Sequence, residues 1–233
     1  GVVVEAESFG GGVEEAGSVG VEAHAQTPSQ RWPEPCTTTK KILGAGMQHR
    51  SHRLADGMAE DHDIVLHTHD GTPVRLGDLA ADPLVVVLVR YFGCLPCQAF
   101  VQELDAVRDQ LPPGASVVAV GGSADFQAEW LKTEKGVGMP LLLDPGQHVR
   151  DLVQLGDLSA TQLLSGRGMA SYAGALVGKG LRPQKITKDA TKAPGVALFD
   201  PDFGVRWVHR GERIGDYPTV EELLSVVRTP AGR

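Results

Sequence analysis

Two cysteines separated by two residues, Cys94-Leu95-Pro96-Cys97, are the part of this 233-residue sequence whose residue types and spacing point most directly to chemistry. Cysteine reacts as the thiolate, and a free thiol with a pKa of about 8.5 is mostly protonated at neutral pH, so a reactive pair needs help to ionise. A helix N-terminus gives that help, because its unpaired N–H groups and positive dipole end favour negative charge. Downstream of Cys97, Phe100, Val101, Leu104, Val107 and Leu111 recur at helical spacing, which predicts a helix over 97–111. Cys94 and Cys97 then straddle a helix start, where their sulfurs can bond and the second thiol can release a mixed disulfide made by the first. Pro96 stiffens the turn, and no backbone donor is missed at so early a helical position. Dithiol–disulfide chemistry is the expectation.

Paired cysteines at this spacing also ligate zinc, but a structural zinc site usually takes a second pair. No second pair of this kind occurs in the sequence; His148 and His209 stand apart, and His67 and His69 are two residues from each other. We therefore expect neither metal nor cofactor. Cys36, between Pro35 and a threonine run, reads as an incidental exposed thiol.

The elements that must hold the pair are legible on both sides of it. Leu84 to Val89 is a continuous, valine-rich apolar run, as expected of a central strand covered on both faces, and it stops at Arg90-Tyr91-Phe92-Gly93, next to the dithiol. After the helix and Pro112-Pro113-Gly114 come a strand over 116–120, a helix from about Asp125 to Lys135 capped by Ser123, and a strand over 140–144. Such alternation implies βαβ units. A short strand over 64–67 with an Asp70-Gly71 turn precedes the core. A hairpin over 195–199 and 205–209 follows it, with a closing helix from Thr219 to Val227. On the second hairpin strand, Trp207 is expected to pack and His209 to lie at the surface. Between 149 and 193 only 151–155 reads as helix. The rest reads as a loop through Gly166, Gly168, Gly178 and Gly180 that covers the active-site face. Gly166-Arg167-Gly168 lacks the strand–turn–helix setting of a phosphate cradle.

These elements make an α/β fold: a central mixed, largely parallel sheet flanked by helices. Residues 1–60 are expected to form a disordered or poorly ordered extension, 61–228 the folded domain and 229–233 a flexible tail. The extension is rich in Gly, Ala, Val and Glu with no sustained amphipathic period, then in Pro, Thr and basic residues. It offers little apolar surface to offset ordering entropy. Met47 and Met58 raise a downstream translation start. A formal net charge of -7 argues against a nucleic-acid or acidic-membrane partner. The longest strongly apolar run, Leu84 to Val89, is far short of the roughly 20 residues that cross a bilayer. Without a recognisable secretory pattern, the expected location is cytoplasmic.

Arg90-Tyr91-Phe92-Gly93-Cys94-Leu95-Pro96-Cys97 resembles the active-site stretch of the peroxiredoxin-like 2 family, within the broader alkyl hydroperoxide reductase and thiol-specific antioxidant (AhpC/TSA) group. The stretch from Asp63 to Leu79, the hairpin from Val196 to Gly211, and Gly215-Asp216-Tyr217-Pro218 with its helix follow in the family's order. The resemblance implies a thioredoxin-like fold with Cys94 and Cys97 as catalytic residues and Pro194, Arg90 and Pro96 shaping the substrate groove. Pro194 takes the place of a cis-proline before the strand facing the dithiol. Electrons would come from a thiol donor such as thioredoxin or glutathione, for reduction of a peroxide or a disulfide.

The match to typical peroxiredoxins is incomplete. They carry Thr three residues before the peroxide-attacking cysteine, where this chain has Cys94, so that alignment makes Cys97 the attacking residue. Alignment with thioredoxin makes it Cys94. They also place an Arg before the strand that here begins at Gly195, where this chain reads Lys192-Ala193-Pro194. The departure leaves two rivals: a protein-disulfide reductant without peroxidase activity, and a redox-sensing module without turnover.

Overall fold

The computed structural model describes residues 63–229, apart from 123, 180 and 182. The expectations for Cys36, Met47, Met58, the 1–60 extension and the Ser123 cap fall outside these residues.

Strand β3, Leu84–Leu88, is the axis of the molecule, and each of its five residues is fully buried. Full burial of each such side chain contributes about 2 kcal/mol, which is why an uninterrupted apolar run sits here and not at an edge. To one side β3 pairs in parallel with β4, Ser116–Gly121, and β4 in parallel with β5, Leu141–Leu143. To the other side it pairs antiparallel with β6, Gly195–Phe199, and β6 antiparallel with β7, Val205–Arg210, which is the expected hairpin. The short strands β1, Val65–His67, and β2, Pro73–Arg75, complete a seven-stranded sheet in the order β2-β1-β5-β4-β3-β6-β7. Parallel pairing is confined to β3, β4 and β5. It is a smaller share than strand–helix alternation suggests, because hairpins extend the sheet at both edges.

Helix α1, Leu95–Ala106, starts two residues before the expected 97 and ends five before 111. A separate 3-10 turn, Arg108–Gln110, carries the pattern on. The helix is capped at Val107, and next to that end the Asp105 carboxylate accepts the main-chain N–H groups of Gly138 and Met139 at 2.9 and 2.8 Å, which ties it to the turn before β5. Helix α2, Asp125–Lys135, ends at Gly136, which takes the left-handed conformation with φ of 66°.

The segment from 149 to 193 departs most from expectation. It holds α3, His148–Leu152; α4, Ala160–Leu163; and α5, Gly166–Lys179. Interior glycines each disfavour a helix by roughly 0.5–1 kcal/mol relative to alanine, hence the sequence reading of a loop. Packing offsets this: Tyr172 and the buried Ala175 of α5 join Leu181 in a small apolar cluster against Leu95 and Ala99 of α1. The segment does cover the dithiol, as expected, but with a helix. The closing helix α6, Val220–Arg228, starts in a capping box between Thr219 and Glu222.

Candidate active site

Cys94 is the N-cap of α1, in extended conformation, and Leu95, Pro96 and Cys97 form its first turn. The cap closes locally: Cys94 N–H donates to Tyr91 O at 3.1 Å, and Gln98 N–H donates to Cys94 O at 2.9 Å. Ahead of the pair, Gly93 N–H donates to Gln127 Oε1 at 2.9 Å, and Gln127 Nε2 donates to Lys185 O at 2.7 Å. A Cβ on Gly93 would stand 2.4 Å from Gln127 Nε2, so only glycine brings α2 this close to the dithiol turn. Both thiols are free and wholly buried.

The two sulfurs share one environment and respond to it in opposite directions. Burial disfavours either thiolate. At Cys97 it is outweighed by hydrogen bonds from the Cys94 thiol and the Tyr217 hydroxyl and by the charge of Arg90, which bring the thiol down to about 6. At Cys94, burial and the donated hydrogen bond to a negative Cys97 push the thiol up. These surroundings favour ionisation at Cys97 over Cys94. Burial and the neighbouring Cys97 and Cys94 likewise push the Tyr217 hydroxyl up.

Arg90 leaves the end of β3 and turns under the pair. It is 3% exposed, and its Nη1 lies 3.7 Å from Cys94 Sγ, while Nη2 donates to Ala190 O. Its Nε has no hydrogen-bond partner among the described residues. Arg150, also 3% exposed, comes from α3 to the same end of the sheet. Above them Tyr91 Oη and Tyr172 Oη are 3.4 Å apart, which joins α5 to the turn before Cys94. Tyr217 stacks on Phe100 with ring centroids 4.3 Å apart, and its hydroxyl donates to Leu88 O at 3.4 Å. Gly215, with φ of 72°, lets this loop approach: a Cβ there would stand 2.8 Å from Pro96 Cβ and 2.9 Å from Ser171 Cβ. Outside this wall lies a groove of about 330 Å³ between α1 and α5, lined by Pro96, Phe100, Ser171, Ala175 and Tyr217 among others.

Of the residues singled out by sequence, Cys94, Cys97, Pro96 and Arg90 come together. Pro96 lines the groove, whereas Arg90 lies behind the pair and not along the groove. Pro194 departs from expectation. The cis X-Pro bond among the described residues is Asp82–Pro83, ahead of β3, and not the bond before Pro194. The main chain around Pro194 is already engaged: Ala193 N–H donates to Gly156 O at 3.1 Å, Ala193 O accepts from Arg150, and Pro194 O accepts from Gly211 N–H at 2.9 Å. None of these groups is left facing a substrate. Trp207 packs on the core, and the half-buried His209 meets Asp216 O at 3.0 Å. His148 pairs with Asp144 at 3.2 Å, and among the described residues no group of three or more His, Cys, Asp or Glu stands together to hold a metal. Arg150, Tyr172 and the role of Tyr217 escaped the sequence reading. For Tyr217 the signal was present in Gly215-Asp216-Tyr217-Pro218. For a buried arginine in a five-residue helix, periodicity gives none.

A thioredoxin-like sheet with a buried CxxC pair at a helix N-terminus defines a thiol-based redox protein. The chain belongs to the AhpC/TSA family, whose model matches residues 59–207. Its fold is similar to two solved structures from Xanthomonas campestris. One is peroxiredoxin Q, with 15% identity, 75% of this chain and 95% of that chain covered and a TM-score of 0.53. The other is bacterioferritin comigratory protein, described for its alkyl peroxide reduction activity, with 13% identity, 73% and 93% covered and a TM-score of 0.52. No curated protein matches the chain. Among the described residues, no helix is long and apolar enough to cross a membrane.

Proposed function

We propose that this protein is a peroxiredoxin-like thiol-disulfide oxidoreductase, of the peroxiredoxin-like 2 type, that reduces peroxides by cycling Cys94 and Cys97 between dithiol and disulfide. The observation that carries the reading is the buried CxxC pair at the N-terminus of α1 with the Arg90 guanidinium beside it, Nη1 lying 3.7 Å from Cys94 Sγ. Surroundings that push the Cys97 thiol down and the Cys94 thiol up support Cys97 as the nucleophile. Cys97 is the attacking residue. Its sulfur forms a bond to the distal peroxide oxygen as the O–O bond breaks, leaving a sulfenic acid and an alkoxide that takes up a proton and departs as the alcohol. Cys94 sulfur then displaces the sulfenic oxygen as water, and the S–S bond forms. A thiol donor such as thioredoxin or glutathione returns two electrons and two protons. Full burial of both sulfurs favours a small peroxide over a protein disulfide, because a folded partner is too bulky to bring its sulfur to the pair as it stands.

Stopped-flow oxidation of the reduced protein by hydrogen peroxide and by an organic hydroperoxide tests this. Cys97→Ser is expected to abolish fast oxidation. Cys94→Ser is expected to oxidise and stop at a sulfenic acid that a dimedone-type reagent traps. Slow oxidation of the wild type alongside rapid exchange with protein disulfides would instead support a thioredoxin-like reductant; oxidation without turnover when donor is supplied would support a redox-sensing module.

A further inference from the structure

Among the described residues, no carboxylate lies at ion-pair distance from the buried cation Arg150. Its guanidinium instead donates to two main-chain oxygens, Nη1 to Ala193 O and Nη2 to Val89 O, each at 2.5 Å. A charge taken out of water is costly unless its surroundings answer it. The titratable groups around Arg150 are Tyr217 and Cys97, followed by Asp189 on the 3-10 turn Lys188–Thr191 and Asp144 beyond β5, and its charge also reaches Asp157. Around Cys97 stand Cys94 and Arg90, from the dithiol turn, Tyr217, from the loop before α6, and Arg150 itself, from α3.

The two carbonyl partners are as informative as the charge. Val89 directly precedes Arg90, where β3 turns toward the dithiol, and Ala193 directly precedes Pro194, where β6 begins. One guanidinium thus ties together the two strand ends beneath the pair. The turn over 188–191 serves both cations: Ala190 O accepts from Arg90, and Asp189, itself 3% exposed, faces Arg150 and accepts from Gln147 at 3.2 Å. Arginine keeps its proton at every working pH, so its field on the pair does not switch off.

Resting on the thiol-redox reading above, we propose that Arg150 is a positioning residue, which fixes the strand ends under the dithiol and supplies the second buried positive charge that keeps the negative charge on Cys97. Arg90 works from the Cys94 side and Arg150 from the side of Tyr217. Nothing in the mechanism requires Arg150 to touch the peroxide.

The test is titration of the thiolate by its ultraviolet absorbance in the reduced protein, with folding of each variant checked by circular dichroism. The wild type is expected to half-ionise near 6. Arg150→Gln keeps a donor for one carbonyl and removes the charge, and is expected to raise the midpoint by about one pH unit, a tenfold gain in proton affinity. Arg150→Lys keeps the charge and is expected to stay within about threefold of wild type. A folded Arg150→Gln with an unmoved midpoint overturns the proposal. Where that variant does not fold, Asp189→Asn decides. Removing the carboxylate that faces Arg150 leaves its charge less offset, so the midpoint falls; an unmoved midpoint overturns the proposal. A wild-type midpoint near that of a free thiol would sink the thiol-redox reading and this one with it, whereas a low wild-type midpoint with unresponsive variants sinks this one alone.

Discussion

Cys94 and Cys97 are equally buried, yet their surroundings push the first thiol up and the second down, so burial does not set their difference. The neighbours do: the Cys94 thiol, Tyr217 and the Arg90 charge all favour the ionised form of Cys97. The consequence for pH dependence has a definite sign. A depressed thiol is ionised above its midpoint and loses the thiolate as pH falls through it, so the rate of peroxide oxidation is expected to plateau above about 7. It is expected to drop close to tenfold per pH unit below about 5. Stopped-flow rates across that range measure it, and a rate still climbing above pH 8 would contradict the assignment of Cys97. Arg90→Met removes the cation at 3.7 Å from Cys94 Sγ and is expected to slow oxidation at neutral pH by about tenfold, the effect of roughly one pKa unit. Arg90→Lys restores part of the rate.

At the scale of elements, the sheet end and the N-terminus of α1 hold the dithiol from below, and α5 and the loop before α6 close over it. The two closing elements use glycine in opposite ways. Gly174 sits inside α5 with open space where a Cβ would go, so Gly174→Ala is expected to stabilise the protein by about 0.5–1 kcal/mol. Gly215 has a positive φ and no room for a Cβ against Pro96 and Ser171. Gly215→Ala is expected to destabilise by about 1–3 kcal/mol and to move Tyr217 away from Cys97. Urea unfolding of the two variants gives the opposite signs. Equal small effects would mean that the loop does not depend on this approach.

For the whole molecule, most buried apolar residues of the described chain form one core around β3, beside a small second cluster of Leu95, Ala175 and Leu181, and the site hangs from the end of that strand. Leu88, fully buried, ends β3, pairs with Val120 and Gly195, and gives its carbonyl to Tyr217. Leu88→Ala is expected to cost about 3 kcal/mol of stability, seen as an earlier urea midpoint with circular dichroism and tryptophan fluorescence still unfolding together. Separate transitions for the two probes would show that the core is less continuous than its contacts indicate.

The sequence by itself determined what chemistry the chain carries and most of the scaffold beneath it. The CxxC spacing, the apolar run of 84–89, the helical period after Cys97 and the hairpin turn at 200–204 are local signals, and local geometry turns them into a cap, a strand, a helix and a hairpin. The helix α5 was not legible, since its glycines argue against it locally and only contact with Leu95 and Ala99 makes it worthwhile. The choice between Cys94 and Cys97 was open for a related reason: their proton affinities depend on Tyr217, more than a hundred residues downstream, and on charges brought up from other elements. Arg150 makes the same point most plainly. The arginine missing before β6 in the sequence is matched by a guanidinium bonded to Ala193 O, delivered from α3. Spacing along a chain records what neighbours in sequence can do, but which distant charges meet a buried sulfur is decided by folding alone.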